Sequence, residues 1–254
     1  MKLIPKRFVA SAALLSSFFY TGLTLTAPLD EWLEAYKRGD YAGALEIIRP
    51  LAIAGEAPAQ YNLGLMHDSG RGAPQDYAEA IRWYSLASAQ HFAPAQYNLA
   101  MMYAAGRGMP QDYPEALHWL KLAAAQGYVP AQTNIGAMYA NGHGVTKDDK
   151  EALHWFKLAA AQGNALAQHH LGLMYDEGKA VSINGIRAHM WFNLSAAQGY
   201  ANATKQRDLI ARKLTNQEMT EAQTTSARVF GSEVSRLLIG HSALDQTALN
   251  NHMS

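Results

Sequence analysis

The residues of this chain that could do chemistry are its ten histidines and several charged and aromatic positions that recur at a fixed step. Histidine is the commonest metal ligand, and the adjacent His169 and His170 invite a metal site. None of the ten is paired at i, i+4, and neighbouring helical residues diverge by about 100°, which suits joint ligation poorly. Asp76 with Glu79, Asp112 with Glu115 and Asp148 with Glu151 could be acid pairs for proton transfer, but the D-x-x-E spacing is already that of a helix capping box. Arg71, Arg107, His143 and Lys179 share one repeated position, and Arg82, His118 and His154 another. An anion-binding ridge is one reading of these ladders. Asp76, Asp112 and Asp148 follow the first ladder five residues later, which favours a solvated edge of mixed charge. The glycines at 70 and 72 lack the lysine-serine ending and preceding strand of a phosphate loop. Trp83, Trp119, Trp155 and Trp191 could stack on sugars, yet they share a helical stripe with Ala80 and Ala87 and read as core. No Ser-His-Asp arrangement stands out, so we expect no catalytic residues, no metal and no cofactor.

The composition is that of a folded, soluble protein. The chain has 254 residues, 49% apolar and 17% charged, with 21 basic residues against 21 acidic ones and no cysteine. A balanced charge gives nucleic acid no basic surface to bind, so no nucleic-acid partner is expected. Without cysteine there are no disulfides, thiolate metal sites or cysteine nucleophiles.

Residues 1–27 read as an export signal. Lys2, Lys6 and Arg7 precede an uncharged, largely apolar run from Phe8 to Leu25. The run is also long enough to span a bilayer if it stays uncleaved, so a membrane role depends on cleavage. All three charges precede the run, so either case places the remainder outside the cytoplasm, periplasmic or secreted, or anchored facing the periplasm. Removing the segment leaves a formal charge of −3.

The elements that position the recurring residues follow from the repeat. The last four tryptophans are 36 residues apart, and the same step links Ala59, Ala95, Ala131 and Ala167; Leu63, Leu99, Ile135 and Leu171; and Met66, Met102, Met138 and Met174. Four units, 59–94, 95–130, 131–166 and 167–202, run without insertion, preceded by a partial unit at 28–58. Each reads as two helices. Ala59, Leu63 and Met66 form an amphipathic stripe in the first, and a glycine turn follows. Gly64, Ala100, Gly136 and Gly172 stay small where helix backbones approach. The second helix starts at the capping aspartate and ends at Gly127, Gly163 or Gly199, with His91 in that place in the first unit. One hairpin cannot bury its own apolar face, whereas stacked hairpins can. The expected fold is therefore all-α, a right-handed α/α solenoid of 36-residue helix-turn-helix repeats. Residues 203–230, with Leu209, Ile210 and Leu214 at helical spacing and a second capping box at Thr215 and Glu218, read as a C-terminal helical cap. Residues 231–254 read as a flexible tail.

The stretch AQYNLGLMHDSGRGAPQDYAEAIRWYSLASAQ at 59–90 and its copies resemble the Sel-one-like repeat (SLR) proteins, relatives of the tetratricopeptide repeats. The G-x-G turn and the step of 36 separate it from the 34-residue tetratricopeptide unit. The resemblance implies an interaction scaffold; many bacterial members are exported and serve in envelope assembly, signalling or host contact. One branch ties each helix pair with a disulfide, which this cysteine-free chain cannot do.

A surface follows from the first-helix wheel. With Ala59 at zero, the Ala59, Leu63 and Met66 stripe covers about 340° to 40°, while Tyr61, Leu65 and Asp68 fall near about 200°, 240° and 180°. That second face carries Tyr61 and Leu65, Tyr97 and Met101, Thr133 and Ala137, and His169 and Leu173, flanked by Asn62, Asn98, Asn134 and His170. In related solenoids the first helix lines the concave side, so the resemblance makes this column the binding site for a protein or peptide partner. Contact between successive repeats is the competing reading. A cell-wall glycan module, favoured by exposed aromatics, and a hydrolase acting on cell-wall material, favoured by an enclosed pocket, are the functional alternatives. The protein is expected to be a monomer.

Overall fold

A computed structural model describes residues 27–228; residues 1–26 of the expected export segment and all of residues 229–254, including the expected flexible tail, lie outside the described residues. The described chain is helical throughout: α1 (Ala27–Lys37), α2 (Tyr41–Ile53), α3 (Ala57–Ser69), α4 (Tyr77–Ala89), α5 (Ala93–Ala105), α6 (Tyr113–Ala125), α7 (Val129–Asn141), α8 (Asp149–Ala161), α9 (Ala165–Glu177), α10 (Gly185–Ala197), α11 (Ala201–Ala211) and α12 (Asn216–Arg228). Each helix from α1 to α11 packs on its chain neighbours, the one-dimensional stacking of a solenoid. The pairs α3/α4, α5/α6, α7/α8 and α9/α10 are the repeats. Their first helices start two residues before the boundaries expected from the apolar stripe. Pro58, Pro94 and Pro130 occupy the first turn, where a missing N–H costs nothing and the fixed φ favours helix.

Burial follows the period. Ala59, Leu63 and Met66 and their counterparts in the other repeats are buried, as are Trp83, Trp155 and Trp191 (Trp119 is half-buried), so the tryptophan ladder is core and offers no stacking platform. The small residue of each first helix meets one large residue of the second. A Cβ on Gly64, Gly136 or Gly172 would lie 2.7, 2.7 or 2.5 Å from the rings of Tyr84, Phe156 and Phe192. In the second repeat Ala100 replaces the glycine, and the opposing residue is Leu120 in the same buried cluster. The pair is exchanged together.

The capping box is half realised. Asp76 and Asp148 each accept two backbone N–H bonds from the first helical turn, and Asp112 accepts one. The return bond from glutamate is not made, because the N–H of Asp76, Asp112 and Asp148 already donates to the carbonyl of His67, Tyr103 and Tyr139, each at 3.0 Å. Glu79 and Glu115 accept instead from the indole N–H of Trp83 at 3.1 Å and Trp119 at 2.9 Å. The box at Thr215 and Glu218 is reciprocal: the Thr215 N–H donates to Glu218 at 2.8 Å and the Glu218 N–H donates back to Thr215 Oγ1 at 3.3 Å.

His91 holds φ +59° where the other repeats have glycine at φ +80° to +85°. A side chain in the left-handed region costs about 1–2 kcal/mol, against which glycine carries its own chain entropy. His91→Gly is therefore expected to stabilise the protein by about 0.5–1 kcal/mol, read as a rise in urea midpoint with unchanged slope.

The solenoid stops at α11. Ala203 and Ile210 are buried on the repeat stripe, but Asp208 stands at the position of Gly172, where a side chain would collide with a paired second helix. Asp208 points outward to Arg207, 2.9 Å away. Without that close approach, α12 packs chiefly on α10, presenting Ala222 and Ser226 inward. Leu209, expected inside the cap, is 49% exposed on the outer side of α11.

Candidate functional site

The column on α3, α5, α7 and α9 lies at the seams between repeats. Tyr61 packs its ring between Tyr84 at 5.9 Å and Phe92 at 5.5 Å, centroid to centroid. Tyr97 packs on Tyr128 at 5.5 Å, and its hydroxyl accepts from Asn134 Nδ2 at 3.2 Å. Asn98 stands at the matching position one repeat earlier, beside the hydroxyls of Tyr61 and Tyr84, and the Tyr84 hydroxyl donates to Asp68 at 3.4 Å. Burial raises the Tyr61 hydroxyl pKa, with the nearby Tyr128 adding to it and Asn98 opposing it. Burial and then the Asp68 carboxylate raise Tyr84. These phenols stay protonated and act as hydrogen-bond donors and acceptors, without acid-base work near neutral pH.

The expected site residues divide by exposure. Tyr61, Asn62, Leu65, Tyr97, Asn98, Met101, Asn134, His170 and Leu173 are half-buried and offer part of their surface to solvent. Thr133 and His169 are buried, at 4% and 8% exposure. Thr133 turns its hydroxyl to the carbonyl of Val129 at 3.1 Å, and His169 sits among Phe192, Tyr200 and His170. A helical wheel assigns direction only, and the covering groups come from the far end of the same repeat. Residues 92, 128 and 200, each just before the next first helix, close over the column.

The loop ladder is individually partnered. Arg71 donates to the Tyr36 hydroxyl at 2.8 Å and lies over the Tyr36 and Tyr41 rings. Arg107 faces Asp68 at 3.7 Å, His143 stacks on Tyr113 at 5.6 Å, and Lys179 pairs with Glu177. These partners fit an edge of mixed charge better than an anion ridge. Among the described residues no three histidine or carboxylate side chains form a group that could hold a metal. Shallow depressions beside α12, at Gln217 and Glu221, and beside α1, at Asp30 and Arg38, lie on those two helices, apart from the column on α3, α5, α7 and α9.

The sequence reading missed a polar lock. Gln60, Gln96, Gln132 and Gln168 are buried, and each accepts at 2.8 Å from the glutamine that ends its own repeat, Gln90, Gln126, Gln162 and Gln198. Each also donates to a carbonyl of the preceding second helix, Ala52, Ser88, Ala124 or Ala160, at 3.3–3.5 Å. Eight glutamines at one step were the available signal.

Against known proteins, the Sel1 repeat family model matches residues 57–92, 93–128, 129–164 and 165–200, the four helix pairs described above. The chain belongs to the Sel1 repeat family. Similar solved structures include a Sel1 repeat protein from Oxalobacter formigenes, 32% identical over 68% of this chain and 71% of that one, with a TM-score of 0.63. Another is c5321, a protective antigen of uropathogenic Escherichia coli strains with an SLR fold, 33% identical over 78% of this chain and 48% of that one, TM-score 0.65. The immunity protein Pa5087 of Pseudomonas aeruginosa, 21% identical over 84% of this chain and 85% of that one with a TM-score of 0.51, shares the fold. No curated protein matches the chain. In Sel1 terms the lock joins consecutive repeats, and the aromatic column follows the seam it closes.

Proposed function

We propose that this Sel1 repeat protein is a non-catalytic scaffold, exported to the bacterial envelope or beyond it, that binds a protein or peptide along the first-helix column. The observation that carries the reading is the row of half-exposed Tyr61, Leu65, Tyr97 and Met101 on consecutive first helices, with Tyr61 packed on Phe92 and Tyr97 held by Tyr128 and Asn134. Aromatic residues fixed by their neighbours lose little entropy on binding and dominate interface energies. The basic-then-apolar N-terminus supports export. Buried tryptophans leave a glycan platform without its rings.

The test is cross-linking in intact cells with a reagent excluded from the cytoplasm, followed by affinity capture. Wild type should yield a specific partner, and Tyr97→Ala with Met101→Glu should lose it. Because Tyr97 packs on Tyr128, the double variant is expected to lose about 1–2 kcal/mol and still fold. Leu158→Ala, a comparable loss on the second helix α8, should keep the partner. An unfolded double variant would make the column inter-repeat core and end the site reading. A protein labelled only by a membrane-permeant reagent would end the export reading.

A further inference from the structure

Three histidines concentrate in the last repeat, at positions where the other repeats carry residues that do not titrate near neutrality. His169 stands for Tyr61, Tyr97 and Thr133; His170 for Asn62, Asn98 and Asn134; and His189 for Leu45, Ile81, Leu117 and Leu153. His169 and His189 are 8% and 5% exposed, and the Nδ1 of each is buried with no hydrogen-bond partner. His170 stacks on Phe156 of α8 at 4.5 Å and 8°, and its ring lies 5.8 Å from that of His169. We propose that the last repeat and its cap, α9 to α12, are an acid-released latch: protonation of His169, His170 and His189 unfolds this unit and so bares the Phe156 face of α8.

The surroundings give each added proton little compensation. His170 meets the Phe156 ring from α8 and the His169 ring on its own helix. His169 meets Phe192 from α10 and Tyr200 ahead of α11. His189 on α10 faces Arg207 and Asp208 from α11, the first repelling and the second favouring its charge. The buried residues of α12, which packs on α10, are the uncharged Ala222 and Ser226; its half-buried Glu218 is engaged by Thr215. Burial holds all three imidazoles below their ordinary pKa, most strongly His170, pushed down to about 4 with His169 adding to the shift. The unfolded unit restores an ordinary histidine near about 6.5. A depressed folded pKa means the opened form takes up protons first, so the latch holds above about pH 6.5 and weakens as pH falls towards 4. By pH 4.5, His170 alone multiplies the open-to-closed ratio by about 80.

The experiment is hydrogen exchange by mass spectrometry on the full chain from pH 7 to pH 4.5, corrected for intrinsic exchange rates. In wild type, protection in α9–α12 should fall by at least about 50-fold relative to α3–α6. A chain with His169→Thr, His170→Asn and His189→Leu, the residues of the neighbouring repeats, should hold that ratio within a few-fold. Unchanged protection of α9–α12 in wild type would overturn the latch, as would an equal loss in the triple variant, which would assign it to the carboxylates Asp176, Glu177 and Asp208. If the triple variant does not fold, His170→Asn and His189→Leu separately should each remove part of the pH dependence. Single variants that both keep the full wild-type response would overturn it too.

Discussion

Gly172→Ala is expected to lower stability by about 2 kcal/mol, and Phe192→Leu in the same chain to restore most of it. Elsewhere in a helix, replacing glycine by alanine gains about 1 kcal/mol. Here the new Cβ would lie 2.5 Å from two atoms of the Phe192 ring, which is fully buried and cannot swing aside as a flexible side-chain end could. Relieving that contact moves α9 and α10 apart, and overpacking of this kind costs about 1–3 kcal/mol beyond the helix gain. Ala100 with Leu120 shows the compensated pair already at work in the second repeat. Phe192→Leu alone leaves a cavity worth about 1–2 kcal/mol, so the double variant should lie within about 1 kcal/mol of wild type. The single change corresponds to a fall in Tm of about 4–8 °C. A Gly172→Ala protein as stable as wild type, or a double variant no better than the sum of its parts, would refute the close-approach argument.

Gln96→Ala should cost about 2–3 kcal/mol, clearly more than Gln126→Ala, although the two residues share one hydrogen bond. Gln96 is 1% exposed and holds two partners, Gln126 at 2.8 Å and the Ser88 carbonyl at 3.4 Å. The longer bond is weak and the Ser88 carbonyl keeps the His91 N–H at 2.9 Å, so most of the cost comes from the lost Gln126 bond and from the cavity. Gln126 is exposed and its amide also reaches the Leu122 carbonyl at 3.3 Å, so water replaces what its loss removes, at about 1 kcal/mol or less. Gln96→Met, which fills the space without the bonds, should fall between them. Urea unfolding measures all three. Equal costs for Gln96→Ala and Gln126→Ala would mean the lock adds nothing across the repeat boundary.

Both predictions concern contacts between helices rather than within one, and this marks how far the residues could be read without the fold. The step of 36, the stripe of Ala59, Leu63 and Met66, the capping aspartates and the buried tryptophan ladder were all legible, because each follows from helical geometry within about two turns of chain. The family resemblance rested on the same residues, and the four matched repeats bear it out. The column was legible as a face of the first helix. Its state of cover was not, since Phe92, Tyr128 and Tyr200 lie about 30 residues further along, at the far end of each repeat.

By itself, then, the sequence determined that the chain is helical, that its hairpins are equivalent and stacked, and that Asp76, Asp112 and Asp148 begin second helices. Those properties depend on propensity, caps and apolar spacing, which act between residues close along the chain. Only the tertiary structure decided which polar groups would have partners. The return bond of Glu79 and Glu115 went to tryptophan because a carbonyl of the first helix had already taken the capping N–H. The four buried glutamines became a lock onto the preceding helix across the repeat boundary, and the Nδ1 atoms of His169 and His189 were left buried without partners. Asp208 turned α12 away from α11 and ended the solenoid. A hydrogen bond or a buried charge depends on what lies within about 3 Å in space, and that is set only once distant helices meet.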